Sequence, residues 1–61
     1  MAKRSTYARL LKPGQRWYAK GDYKTYTVNK VEIPHETLVK VFVDERVKPF
    51  LFDDIDRVEL I

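Results

Sequence analysis

The stretch TLVKVFVD, residues 37–44, is the clearest β-strand signal in the sequence. Valines occupy every second position of it: Val39, Val41 and Val43. Successive side chains of a strand point to opposite faces, so this alternation predicts a strand with one face in a core.

Four more segments are predicted to be strands, because they are rich in Val, Thr and aromatic residues and end at Gly, Pro or Asp turns. They are residues 14–20, 24–32, 47–52 and 57–61. In the second of them Val31 is out of phase with Tyr26 and Val28. This change of phase predicts a β-bulge near Asn29-Lys30.

The segment between the fourth and fifth strands has the sequence DDID, residues 53–56. It predicts one 3-10 turn before the last strand, with Asp53 or Asp54 as its cap. Pro49 has no N–H to donate to a ladder, so the fourth strand is expected at a sheet edge or a bulge.

Five short strands separated by tight turns predict a mostly-β fold, a small five-stranded antiparallel barrel. The strand spacing, Pro13-Gly14 before the first strand and the turn at 53–56 resemble the SH3-like small β-barrels of the Tudor and KOW type. The resemblance covers residues 13–61 and implies the barrel fold; a fold alone does not specify a function. Residues 1–12 then form a basic N-terminal arm, either disordered or docked by Leu10 and Leu11.

The chain has 61 residues and no cysteine, which predicts one domain without disulfides or thiolate metal sites. Its single histidine, His35, lies beside no recognisable nucleophile or second metal ligand. We therefore expect no enzymatic activity, no cofactor and no metal. Without an apolar stretch of ~20 residues, we expect no membrane segment and a cytoplasmic location.

Alternation along the five strands predicts the core. Its members are Trp17, Tyr26, Val28, Val31, Val39, Val41, Val43, Leu51, Ile55, Val58 and Leu60. Three phenylalanines have the opposite parity: Phe42, Phe50 and Phe52. They predict an apolar face with an acidic rim, which a protein partner or a second copy of the chain would cover.

Basic and acidic residues are unevenly divided along the chain. Residues 1–30 carry eight basic groups and one acid, +7, whereas residues 31–61 carry four basic groups and eight acids, −4. Such asymmetry is a hint of a segment that binds polyanions. The alternative is that the two halves neutralise each other across neighbouring strands.

Cations and aromatic rings alternate in the basic half, which suits nucleic acid because cations neutralise phosphates and rings stack on bases. The candidate nucleic-acid-binding residues are Lys3, Arg4, Arg9, Lys12, Arg16, Tyr18, Lys20, Tyr23 and Lys24. We expect a nucleic-acid-binding module, with either DNA or RNA as ligand. The alternative is a protein-interaction module or small regulator that docks through the three phenylalanines.

Overall fold

The computed structural model describes residues 4–61. It contains six strands and one 3-10 helix, in the following order: β1 Arg4–Tyr7, the 3-10 helix Ala8–Leu10, β2 Arg16–Ala19, β3 Lys24–His35, β4 Leu38–Val43, β5 Phe50–Phe52 and β6 Arg57–Leu60. All neighbouring strands are antiparallel, in the order β1-β6-β2-β3-β4-β5. Within these residues, no helix is long and apolar enough to cross a membrane.

The mostly-β antiparallel fold is confirmed, but the prediction of a five-stranded barrel is wrong. Residues 4–61 form six strands, and their sheet is not closed, because β1 and β5 are its two ends and do not pair. The additional strand, β1, comes from the segment expected to be a basic arm. Its sequence RSTY carries no apolar alternation, so the strand depends on its pairing with β6 along its whole length.

The 3-10 helix also differs from the prediction, since it follows β1 and does not precede the last strand. Residues 53–56 form a turn, in which the Asp56 N–H donates to the Asp53 carbonyl oxygen at 3.1 Å. The Asp56 carboxylate caps this turn by accepting from the Asp53 N–H at 2.8 Å. The cap is therefore the last aspartate of the turn, not the first or second.

The long strand β3 divides the sheet into two halves. Its register shifts between Val28 and Lys30, which confirms the bulge predicted there. Before the bulge β3 pairs with β2, and after it mainly with β4. Strand β3 therefore belongs to both halves of the sheet: one half is β1–β6–β2–β3, and the other is β3–β4–β5. A bulge bends its strand and increases the local twist, which is how a single sheet can cover both sides of a core.

The core lies between the two halves. The buried apolar residues are Ala8, Leu11, Trp17, Ala19, Tyr26, Val28, Val39, Val41, Val43 and Val58. Val31, Phe50, Phe52 and Leu60 pack against them while remaining partly exposed.

The predicted core was wrong at two positions, Leu51 and Ile55, which are 63% and 73% exposed. In β5 the two phenylalanines face inward and Leu51 faces outward, because Phe50 and Phe52 pair with the buried Val41 and Val39. Two rings bury more apolar area than one leucine, so this parity is the favourable one.

Candidate nucleic-acid interface

The sheet half β1–β6–β2–β3 exposes one face that combines rings and cations; we call it the outer face. Residues paired across antiparallel strands share a face, and Trp17, Tyr26 and Val58 occupy the buried one. The pairs on the other side define the outer face: Tyr7 with Arg57, Ser5 with Glu59, Glu59 with Tyr18, Tyr18 with Thr25, and Arg16 with Thr27.

Tyr7, on the edge strand β1, is flanked by two guanidinium groups. Arg57 lies 4.9 Å and Arg9 5.3 Å from the centre of the Tyr7 ring. Both separations fall within the range of a cation–π attraction, worth about 0.5–1 kcal/mol at exposed sites. These interactions restrict both arginines to one place on the sheet, where they concentrate positive charge beside a half-exposed ring.

Tyr18 lies near the middle of the outer face, two strands away from Tyr7. It is half-buried between Arg16 of its own strand and Lys20, which directly follows that strand. Arg16 donates from Nη2 to Thr25 Oγ1 at 3.0 Å. Lys20 Nζ lies 2.9 Å from Glu59 Oε1. Since strands are about 4.8 Å apart, the strands that carry the two tyrosines are about 10 Å apart.

Glu45 brings an acidic group to the β3 side of this face. Its two carboxylate oxygens accept from the N–H and the hydroxyl of Thr27, both at 2.8 Å. The backbone hydrogen bond from Thr27 is the main reason that the pKa of Glu45 lies below its ordinary 4.5, and Arg16 adds a smaller effect. The outer face therefore carries Arg9, Arg16, Lys20 and Arg57 against Glu45 and Glu59, so neutralisation across strands is only partial.

A groove of about 560 Å³ opens at the corner where β2 and β6 separate. The groove is lined by the aromatic residues Trp17, Tyr18, Phe50 and Phe52. The small apolar side chains of Ala19 and Val58 line it as well. The Trp17 ring meets the Phe50 and Phe52 rings edge to face, with centroids 4.9 and 5.7 Å away. The charged groups that line the groove are Arg4, Lys20, Asp22, Arg57 and Glu59.

The structure divides the predicted nucleic-acid-binding residues among several places. Arg9, Arg16, Tyr18 and Lys20 are brought together by the outer face.

The other predicted residues lie elsewhere. Arg4 lines the groove. Tyr23 and Lys24 line a second hollow, beside Arg46. Lys12 lies in the turn before β2, where its backbone N–H donates to Gln15 Oε1 at 2.8 Å. Lys3 is outside the described residues.

Among the rings and cations of the outer face, two were not among the candidates: Tyr7 and Arg57. The alternation of Val58 and Leu60 could have placed Arg57 on an exposed face. No local pattern could have placed Tyr7, because its position depends on the pairing of β1 with a strand about 50 residues later in the chain.

The three phenylalanines proposed for the alternative interface do not form one surface. Phe50 and Phe52 belong to the aromatic cluster around Trp17. Phe42 lies on the opposite face of the β3–β4–β5 half, where Lys30 Nζ is 4.8 Å from its ring centre. Leu51 shares that face, so Phe42 and Leu51 form the apolar pair that is available there.

Comparison with known protein families, curated proteins and solved structures finds no match to this chain. The functional argument therefore depends on the outer face and the groove.

Proposed function

We propose that this chain is a non-enzymatic, SH3-like binding module that binds nucleic acid through its outer face. The observation that carries the proposal is the alternation of Tyr7 and Tyr18 with four cations on one exposed sheet surface. The SH3-like part is supported by the bent β3, which is shared by both halves of the sheet as the resemblance implies.

The two kinds of side chain contribute different parts of the binding energy. Arg9, Arg16, Lys20 and Arg57 neutralise phosphates and release the counterions condensed on the nucleic acid, which makes affinity fall as salt rises. The tyrosine rings stack on bases, at roughly 1–3 kcal/mol per base. Neither phosphate neutralisation nor base stacking reads a base edge. The binding that we propose therefore has no strong sequence preference.

The test is the salt dependence of binding to a fluorescently labelled oligonucleotide, followed by anisotropy. The double variant Arg16→Ala/Arg57→Ala should bind more weakly and should reduce the slope of log K against log salt by about two, one for each phosphate that is no longer neutralised. Lys30→Ala is the matched control, because it removes the same type of charge beside Phe42 on the other half. Unchanged salt dependence in the double variant, or no binding at low salt, would contradict the proposal.

The second candidate function is a protein-interaction module, and the exposed face of the β3–β4–β5 half favours it. Leu51 is 63% exposed there, on the same face as Phe42, with Lys30, Glu32 and Lys40 around them. Apolar side chains with a charged surround suit an interface, and a second copy of the chain is one possible partner. An association that persists at high salt and disappears in Leu51→Ser would support this function.

A further inference from the structure

We infer that the groove between β2 and β6 takes an unpaired nucleobase, so that the ligand of the outer face is single-stranded. The inference rests on the proposed function and names the form of nucleic acid that this site would bind.

The groove exists because, within residues 4–61, the pairing of β2 with β6 includes Trp17 with Leu60 and Tyr18 with Glu59 and stops there. An antiparallel ladder continued by two more residues would set Ala19 against Val58 and Lys20 against Arg57. These pairs are not formed; instead all four residues line the groove. The ladder therefore opens at this corner, and the opening leads from the outer face to the aromatic rings beneath it.

The wall of the groove suits a flat aromatic ligand. Phe50 and Phe52 are partly exposed and meet the buried Trp17 ring edge to face, and Ala19 contributes only a methyl group. Aromatic rings favour offset-stacked or edge-to-face partners, and a nucleobase can provide either. The volume of about 560 Å³ lies within the range of roughly 300–1,000 Å³ found for ligand sites.

The charges around the groove favour a base attached to phosphate over an uncharged aromatic ligand. Three cations and two acids line it, which leaves a net charge of +1. Glu59 and Lys20 pair at 2.9 Å and neutralise each other, and Asp22 accepts from the Tyr26 hydroxyl at 3.0 Å, so Arg4 and Arg57 are the cations left to meet a phosphate. Lys20, Arg57 and Tyr18 also belong to the outer face, so a strand bound there passes the mouth of the groove.

Only an unpaired base can enter such a groove. In a duplex the base faces are covered by stacked neighbours, and the grooves present only base edges. A duplex could therefore contact the cations of the outer face without reaching the rings near Trp17. A single strand can turn one base inward, as proteins that bind single strands by stacking commonly require.

The chain contains one tryptophan, Trp17, so tryptophan emission excited beyond the tyrosine absorption band reports on the surroundings of Trp17. We would titrate the unmodified protein with three probes: a short oligothymidylate, an abasic strand of equal length with the same phosphates, and a duplex. The oligothymidylate should quench Trp17 saturably and bind about tenfold or more tightly than the abasic strand. The abasic strand and the duplex should leave the Trp17 emission unchanged.

Two variants extend the test to the groove itself. Ala19→Leu fills the space beside Trp17, and should remove the quenching while Tyr7 and Tyr18 keep part of the preference for the strand with bases. Arg16→Ala, which lies on the outer face away from the groove lining, should weaken all three probes but keep the full quenching at saturation. If Ala19→Leu does not fold, the Trp17 emission of the unmodified protein still decides the question, because only the oligothymidylate should quench it.

The two proposals fail in different ways. Equal binding of single strand and duplex with constant Trp17 emission would overturn the base-binding groove and leave the outer face intact as a nucleic-acid site. Equal quenching by the abasic strand would also overturn it. Absence of binding by all three probes at low salt would overturn the proposed function together with the inference.

Discussion

Glu45 connects the loop after β4 to the strand β3 through both oxygens of its carboxylate. The Thr27 N–H and hydroxyl each donate to it at 2.8 Å. Hydrogen bonds to a carboxylate favour its charged form, and here the backbone bond is the main cause of a pKa below 4.5. Glu45 therefore makes folding depend on pH.

Glu45→Gln should reduce the loss of stability at acid pH. Because the pKa of Glu45 is lower in the folded than in the unfolded chain, its contribution is present above the ordinary 4.5 and is lost as pH falls through the folded pKa. Thermal melts at pH 7 and at steps between about pH 5 and pH 3 measure this. The variant should be less stable at pH 7 and should lose less on acidification.

The control for this experiment is Glu36→Gln, which removes an exposed acid in the turn between β3 and β4. Its melts give the baseline for removing one exposed carboxylate from the chain. A Glu45→Gln curve parallel to the unmodified one from neutral to acid pH would contradict the role given to this carboxylate.

Strand β3 shows how far alternation along a sequence can predict an element. The phase change at Val31 predicted the bulge, because Val28 and Val31 must both reach the core although an odd spacing separates them. Strand β5 shows where such reasoning ends. It has only three residues, and their parity is decided by the buried valines of β4 that pair with Phe50 and Phe52.

The turn before β2 supplies a prediction for a single glycine. Gly14 has φ +91° and donates its N–H to the Val28 carbonyl oxygen at 2.8 Å. L-residues avoid this conformation, and no atom of the described residues lies within 4 Å of an added Cβ, so only backbone strain opposes a side chain. Gly14→Ala should therefore destabilise the protein by about 1–2 kcal/mol, measured by urea unfolding.

Gly21→Ala is the matched control for Gly14→Ala. In the described part of the chain, a Cβ at Gly21 also meets no atom within 4 Å, and this glycine lacks a positive φ. It should be neutral or stabilise by up to about 1 kcal/mol, since alanine reduces the freedom of the unfolded chain. Equal effects of the two substitutions would show that backbone conformation is not what requires Gly14.

On the scale of the whole molecule, the N-terminal segment belongs to the packed structure. Ala8 is fully buried and Leu11 is 4% exposed, and the Ala8 N–H donates to the Asp56 carbonyl oxygen at 2.9 Å. The sequence left two possibilities for this segment, a disordered arm or an arm docked by Leu10 and Leu11. From residue 4 onward the segment is docked, and Leu11 rather than Leu10 is the leucine that docks.

Leu11→Ala should cost about 2–5 kcal/mol, as for other buried leucines. In a domain of this size that lowers Tm by at least about 8 °C. Leu10→Ala is the matched control, since Leu10 is 51% exposed and its truncation should change Tm little. Thermal melts of the two variants measure the difference, and equal Tm values would contradict the docking of this segment.

The candidate site was predictable only in part, because it combines residues from strands far apart in sequence. Arg16, Tyr18 and Lys20 follow from alternation around the buried Trp17. Tyr7 and Arg57 needed knowledge of which strands pair, and the groove needed knowledge of where a pairing stops. Neither the choice of pairing partner nor the point where a pairing stops is encoded in the residues of a single segment.

The position of β6 between β1 and β2 has a consequence for synthesis on the ribosome. Chains emerge from the N-terminus, yet Tyr7 pairs with Arg57, so β1 has no partner until about 50 further residues have been made. The strands β2 to β5 can pair with their sequence neighbours as they appear. Strand β1 is made before the other five strands but is among the last to be ordered, when the newly made β6 pairs with β2 and adds β1 to the sheet.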